Sequence, residues 1–390
     1  MKILQVSPFD FDVRGGVNEH VIQLDYQFRE MGHETRILAP ASATLGEGDD
    51  GHIYRLGKAL PIPSNGSTAR IGLSPFVVAK VREFLEREKF DIVHCHEPLA
   101  PMLPLASLLY SRSLNVGTFH AARRFNFWYH YTKAFLDFFI ERLDVRVAVS
   151  PSAREFADMH FPGDYRIVPN GINLDRFNTK VEPIAEYMDG RKNILFVGRY
   201  DESRKGFIYL LRAMPLIRRQ FPKARLIVVG DGNAERQLRI LEEQGMRDVL
   251  FVGVVRERDL PRYYVTGDVF VAPSTGRESF GIILLEALAS GIPVVASDIP
   301  GYAGVIKHGE TGMLATPRDP YDLAMAIVRV LADSELRQSL ISTGNEHVKQ
   351  FSWPNVARQL LGIYREGIAA GLSDREPVPA TDMIFGRLNG

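Results

Sequence analysis

The chain has 390 residues, 45% hydrophobic and 24% charged, the composition of a soluble globular protein too long for a single core. Lys+Arg and Asp+Glu stand at 47 each, so no global field draws the chain to nucleic acid or anionic membrane; any such attraction has to be local. The single cysteine, Cys95, excludes an internal disulfide and agrees with a reducing cytosol.

Met1-Lys2-Ile3-Leu4-Gln5-Val6 begins as a strand and not as a signal peptide. From there short apolar strands alternate with amphipathic helices. The first half predicts strands at 2–7, 35–39, 92–95, 115–118, 146–149 and 166–168. Its helices are expected at 16–31, 75–88, 101–111, 129–143 and 152–160. The apolar run from Leu99 to Tyr110 has 12 residues and two prolines, too short to span a bilayer. A polar, irregular stretch, 171–191, reads as a linker, and the pattern then restarts. Strands are expected at 193–198, 225–230, 249–252, 268–272, 293–296 and 313–314. Helices follow at 206–220, 233–244, 259–265, 281–290, 319–333, 335–349 and 354–370. Such interleaving implies an α/β class with parallel sheets covered on both faces. Two doubly wound domains, 1–172 and 173–353, should face each other across a cleft, with ligand at the carboxyl ends of their strands. A last helix occupies 354–373, and 374–390 lacks periodicity and reads as a loose tail.

Several motifs fall at strand ends. Arg14-Gly15-Gly16-Val17 leads from the first strand into a helix, either to admit a bulky anion to the backbone or simply to turn tightly. His94 and His96 flank Cys95 and are taken to lie on opposite faces of their strand, which argues against a shared metal. No Cys/His cluster has zinc-ligand spacing. His120 closes the run Asn115-Val116-Gly117-Thr118-Phe119 at another strand end. The segment from Arg123 to Lys133 is the densest in cations and aromatic rings, which suits a lipid headgroup or a partly buried helix. Gly198-Arg199-Tyr200-Asp201-Glu202-Ser203-Arg204-Lys205-Gly206 places Arg199 and Lys205 where positive charge could meet a departing diphosphate; a solvated charged loop is the plainer account. Gly230-Asp231-Gly232 opens like a dinucleotide fingerprint without its third glycine, and is read as lining a nucleotide pocket. Glu278 and Glu286 stand eight residues apart, the first in a turn and the second in an apolar helix. Free N–H groups of residues 280–282 at the helix start form an anion site. Eight helical residues rise about 12 Å, so the two carboxylates can hold separate parts of one elongated ligand, such as a sugar nucleotide.

Together these motifs resemble the retaining glycosyltransferases of family 4, which have the two-domain GT-B fold, and among them the bacterial phosphatidylinositol mannosyltransferases. The likeness runs from residue 1 to about 370, through Gly15-Gly16-Val17, Pro61-Ile62-Pro63-Ser64-Asn65-Gly66-Ser67, His96-Glu97-Pro98, Gly198-Arg199-Tyr200-Asp201-Glu202, Arg204-Lys205-Gly206 and Glu278-Ser279-Phe280-Gly281. It implies metal-independent, cofactor-free transfer of a hexose, mannose from GDP-mannose, to a hydroxyl of a polar lipid headgroup such as phosphatidylinositol. A soluble polyol or sugar phosphate, with a UDP-sugar as donor, is the alternative. By the same resemblance Gly15 and Gly16 belong to the loop that closes on the diphosphate, and Arg199 and Lys205 neutralise it. Glu278 would hold the sugar, Glu286 the ribose, and His120 would lie near the reacting centre. Val255 and Glu257 would read the base edge, with Asp231, Phe280, Gly281 and Ile282 completing the donor site. Asn18, Arg123, Arg124 and Arg204 would meet the acceptor. The implied partners are donor and acceptor, with peripheral membrane contact at the inner face of the cell membrane, a cytoplasmic location and no nucleic acid. The last helix would cross back to the first domain. Leu99, Ala121-Ala122-Arg123-Arg124 and Leu260 depart from the relatives' pattern, and Lys80, Arg82, Arg87 and Lys89 are offset by Glu83, Glu86 and Glu88.

Overall fold

A computed structural model describes residues 1–13, 15–41, 46–64, 67–74, 76–122, 127–233, 235, 239, 245, 248–276 and 278–372. The chain divides into two compact units, Met1–Pro169 with the segment from Trp353, and Asn170–Ser352.

In the first unit, strands β1 (Lys2–Val6), β2 (Glu34–Ala41), β3 (Gly48–Asp49), β4 (Ile53–Ser64) and β5 (Ser67–Gly72) precede β6 (Ile92–His96), β7 (Leu114–Phe119), β8 (Val145–Ala148) and β9 (Tyr165–Ile167). The sheet order is β3-β4-β2-β1-β6-β7-β8-β9, with β5 pairing β4. Pairings from β4 to β9 are parallel, whereas β3 and β5 run antiparallel to β4. Winding starts at β1, proceeds outward through β2, then resumes on the other side at β6. That reversal opens a crevice between neighbouring strand ends. Helices α1 (Gly16–Glu30), α2 (Val77–Glu88), α3 (Leu103–Tyr110), α4 (Phe127–Tyr131), α5 (Lys133–Ile140) and α6 (Pro151–His160) belong to this unit.

In the second unit, β10 (Asn193–Val197), β11 (Arg225–Val229), β12 (Val249–Gly253), β13 (Val269–Ala272), β14 (Val294–Ser297) and β15 (Met313–Ala315) form a parallel sheet. Its order β12-β11-β10-β13-β14-β15 reverses between β10 and β13. Ile194, Phe196, Leu226 and Val228 pack against Phe207, Leu210 and Met214 of α7 (Phe207–Gln220). Leu195, Ile227 and Phe270 face the other way, against Leu284, Leu285 and Leu288. Burial of alternate residues on both faces explains why these strands read as continuous apolar runs. Helices α8 (Leu260–Thr266), α9 (Ile282–Ala289), α10 (Pro320–Ala332) and α11 (Ser334–Val348) complete the unit.

The final helix, α12 (Trp353–Ala369), packs Trp353, Val356, Leu360 and Tyr364 with Ile3, Leu24, Phe28 and Leu114 of the first unit. Its apolar residues recur at three- and four-residue spacing, one helical stripe. Among the described residues no helix is long and apolar enough to cross a membrane.

Each strand expected from the sequence appears, with ends shifted by a residue or two. The hairpin β4–β5 was not expected, because Gly57, Pro61 and Pro63 interrupt the alternation that marks a strand. The single helix anticipated at 129–143 is two, broken at Thr132. Most of the helix expected at 233–244, and the tail at 374–390, lie outside the described residues.

Candidate active site

The reversal in the second sheet brings the loops after β10 and β13 together. Gly206 makes the approach possible: at φ +66°, an added Cβ there would stand 1.8 Å from the carbonyl oxygen of Pro273. Glu278 Oε1 consequently accepts from Arg204 Nη1 at 2.7 Å, from Lys205 Nζ at 2.8 Å and from Ser274 Oγ at 3.3 Å. Tyr302 donates to Ser274 Oγ at 2.8 Å and steadies that side. Glu202 binds Arg204 Nη2 at 2.7 Å and Arg199 Nη1 at 3.0 Å. Three cations thus surround two carboxylates, leaving an excess of positive charge suited to an anion. Arg199 has 49% of its side chain exposed, against 15% for Lys205. Arg204, expected to meet an acceptor, bridges Glu202 and Glu278.

Beside this cluster, α9 starts at Ile282 after Gly281, which has φ +88° and provides no side-chain cap. Phe280 is buried in the core beneath. At the fifth residue of α9, Glu286 Oε2 accepts from the hydroxyl of Tyr264 at 2.7 Å. Burial, and then the neighbouring Glu286 carboxylate, push the Tyr264 phenol well above its ordinary range, so it stays a donor. Asp231 is exposed and accepts the N–H of Gly232. Val255 packs half-buried on the core, while Glu257 is exposed and its carbonyl accepts from Arg176 at 2.7 Å.

The strand ends of the first unit carry a different chemistry. His94 bonds the hydroxyls of Tyr364 at 2.6 Å and Thr118 at 2.7 Å. His96 meets Gln5 Oε1 through Nε2 at 2.7 Å and His120 Nε2 through Nδ1 at 3.1 Å. Against the sequence expectation, His94 and His96 share a face, with rings stacked 4.4 Å apart. Side chains alternate with period two along a strand, so the residues flanking Cys95 point together and the cysteine points into the core. Burial drives the His94 ring down to about 3 and holds His96 and His120 well below the usual imidazole range, so all three are neutral. Sequence reasoning missed His20, which sits one turn into α1 and stands edge-on to His120 at 4.9 Å. Its place four residues after Gly16, on a helix leaving a strand end, was the available signal. Ring nitrogens of His20, His96 and His120 lie within 4.8 Å of one another, a spacing that one ion could bridge, but both nitrogens of His96 are already engaged.

Glu97, at φ +51°, accepts the backbone N–H groups of His120 and Ala121 at 2.9 and 2.8 Å. Gly15 is extended and Gly16 helical, and a Cβ on either would meet nothing within 4 Å. Neither backbone conformation nor packing requires glycine at these two positions. Asn18, expected at the acceptor, is buried; it accepts from Ser7 Oγ at 2.9 Å and donates to the carbonyls of Asp10 and Val13. Its amide stitches the loop after β1 to α1. Arg123 and Arg124 lie outside the described residues.

Residues 14–176 match the description Glycosyltransferase Family 4, and residues 191–333 match Glycosyl transferases group 1. Over 371 residues the chain is 37% identical to the phosphatidyl-myo-inositol mannosyltransferase of Mycobacterium leprae, covering 95% of this chain and 98% of that one. The Propionibacterium freudenreichii protein of the same name is 32% identical over 372 residues, covering 93% and 94%. The Anabaena protein HepE, solved in complex with UDP, superposes with a TM-score of 0.75 over 94% of this chain and 100% of that one, at 17% identity, a likeness of fold. With two doubly wound sheets and relatives matched along nearly their whole length, the chain belongs to glycosyltransferase family 4: it is a GT-B hexosyltransferase, related to bacterial phosphatidyl-myo-inositol mannosyltransferases.

Proposed function

We propose that the protein transfers mannose from GDP-mannose to a hydroxyl of phosphatidylinositol, with retention of configuration and without a metal ion. The observation that carries the proposal is the match, along almost both whole chains, to enzymes named for phosphatidyl-myo-inositol mannosyl transfer. Departure of the nucleoside diphosphate breaks the bond between the anomeric carbon and a phosphate oxygen. Arg199 and Lys205 meet the charge that develops on that oxygen, aided by N–H groups at the start of α9. The acceptor hydroxyl forms its bond to the anomeric carbon on the face the diphosphate vacates, and its proton passes to the leaving oxygen. Glu278 holds sugar hydroxyls and Glu286 the ribose, with His120 beside the reacting centre. Val255 and Glu257 meet the base, Asp231 lines the nucleotide pocket, and Phe280, Gly281 and Ile282 present the helix start to the phosphates.

Gly15 and Gly16 suit a loop that a diphosphate approaches, since the fold itself makes no use of their missing side chains. Membrane contact would be peripheral and weak. On α2, Lys80 pairs with Glu47, Arg82 with Glu86 and Arg87 with Asp49 and Glu88, so little basic charge is left for anionic lipid. The test is transfer of labelled mannose from GDP-mannose into phosphatidylinositol vesicles, with free inositol and UDP-glucose as parallel arms and EDTA throughout. A chloroform-soluble product in EDTA is expected. Labelled product from free inositol or UDP-glucose alone, or no turnover of any donor, overturns the proposal.

A further inference from the structure

We infer that His96, steadied by Gln5, is a positioning residue that fixes His120 as the tautomer protonated on Nε2, leaving Nδ1 a bare lone pair. The inference rests on the proposed place of His120 beside the reacting centre.

Gln5 stands on β1, His96 on β6, and His120 just beyond β7, three neighbours in one parallel sheet. In this orientation of the Gln5 amide, whose nitrogen is buried without a partner, the oxygen lies 2.7 Å from His96 Nε2; that oxygen can only accept, so the ring nitrogen facing it carries a hydrogen. His96 is neutral through burial and has one ring hydrogen, so its Nδ1 is a lone pair. That lone pair lies 3.1 Å from His120 Nε2, which must therefore donate. His120 is neutral too, and its Nδ1 is left unprotonated. The groups facing this ring are His20 from α1, His94 and His96 from β6, and Glu97, whose carboxylate grips the His120 backbone. A rigid chain of hydrogen bonds thus chooses which nitrogen can meet substrate. Departure of the diphosphate leaves positive charge on the anomeric carbon, which a lone pair stabilises and an N–H opposes.

Two-bond proton–nitrogen correlation on the full chain labelled with 15N-histidine reads each tautomer, the His120 signals being those lost in His120→Ala. Wild type should show His120 as the Nε2–H form. His96→Leu should scramble that tautomer and lower kcat about tenfold to a hundredfold, with donor KM moved by less than about threefold. His96→Asn, whose side-chain oxygen can accept from His120 in place of Nδ1, should restore the tautomer and most of the lost kcat. An Nδ1–H signal for His120 in wild type overturns the inference without any variant having to fold. Unchanged kcat in His96→Leu with a scrambled tautomer overturns it as well. Normal turnover in His120→Ala is a different failure: it removes His120 from the reacting centre, while the wild-type spectrum still decides the tautomer.

Discussion

The two strand-end clusters are built on the same topological feature and use opposite electrostatics. In the first unit burial keeps His94, His96 and His120 neutral, and their polarity is spent in hydrogen bonds of 2.6–3.1 Å. In the second, Arg199, Arg204 and Lys205 hold Glu202 and Glu278 in a network of ion pairs that reaches solvent at Arg199. Directed neutral bonds fix orientation and register; exposed charge attracts and neutralises. On the proposed chemistry the two serve different needs, and each is built within its own sheet.

The comparison breaks most readily at Lys205. If its charge acts on the leaving group as proposed, Lys205→Ala should lower turnover about 10²–10³-fold while the far-ultraviolet spectrum is unchanged, since its loss leaves the core intact. Near-normal turnover would return Lys205 to the rank of a surface ion pair. Gly16→Ala comes next: since a Cβ there meets nothing in the fold, its melting temperature should not fall, yet donor KM should rise about tenfold if a diphosphate approaches that backbone. A variant equal to wild type in both respects would show that the glycine serves only as a turn.

Acid should separate the units further. The buried histidines have folded pKa values below the unfolded value of about 6.5, so the unfolded chain binds more protons and stability rises with pH across that interval. Their contribution is complete above pH ~6.5 and is lost as pH falls towards the folded value, about 3 for His94. Each such histidine adds about 1.4 kcal/mol per pH unit to the slope, so protection from hydrogen exchange, taken relative to the intrinsic rate at each pH, should fall first around β6 and β7 between pH 7 and pH 5. Earlier opening of β10 and β13 would contradict the assignment of neutral rings to the first unit. Salt gives the smallest effect. Raising it from 0.05 to 0.5 M should raise donor KM by about two- to fivefold through screening at Arg199, with the histidine tautomers unaltered.

Contiguous motifs at strand ends were legible in the sequence: Arg199, Lys205 and Glu278 are drawn together by loops whose positions follow from strand period and sheet topology. Partners distant in the chain were not. Arg204 finds Glu278 across 74 residues and His94 finds Tyr364 across 270, and no local periodicity records either meeting. His20 escaped because its place after Gly16 marks it only as near a strand end and not which neighbouring strand's residues it will face. The shared face of His94 and His96 was available from the two-residue repeat alone. Asn18 shows another limit: a polar side chain beside a glycine loop suits ligand and loop carbonyl equally, and the bonds to Asp10 and Val13 give it a structural role that no sequence pattern records.

Calorimetric titration with GDP tests the central claim most directly, comparing wild type with the double variant Arg199→Ala/Lys205→Ala. Diphosphate capture by these two cations predicts measurable binding to wild type and an affinity weaker by about a hundredfold, ~2.7 kcal/mol, in a folded double variant. Equal affinity in the two proteins would contradict it.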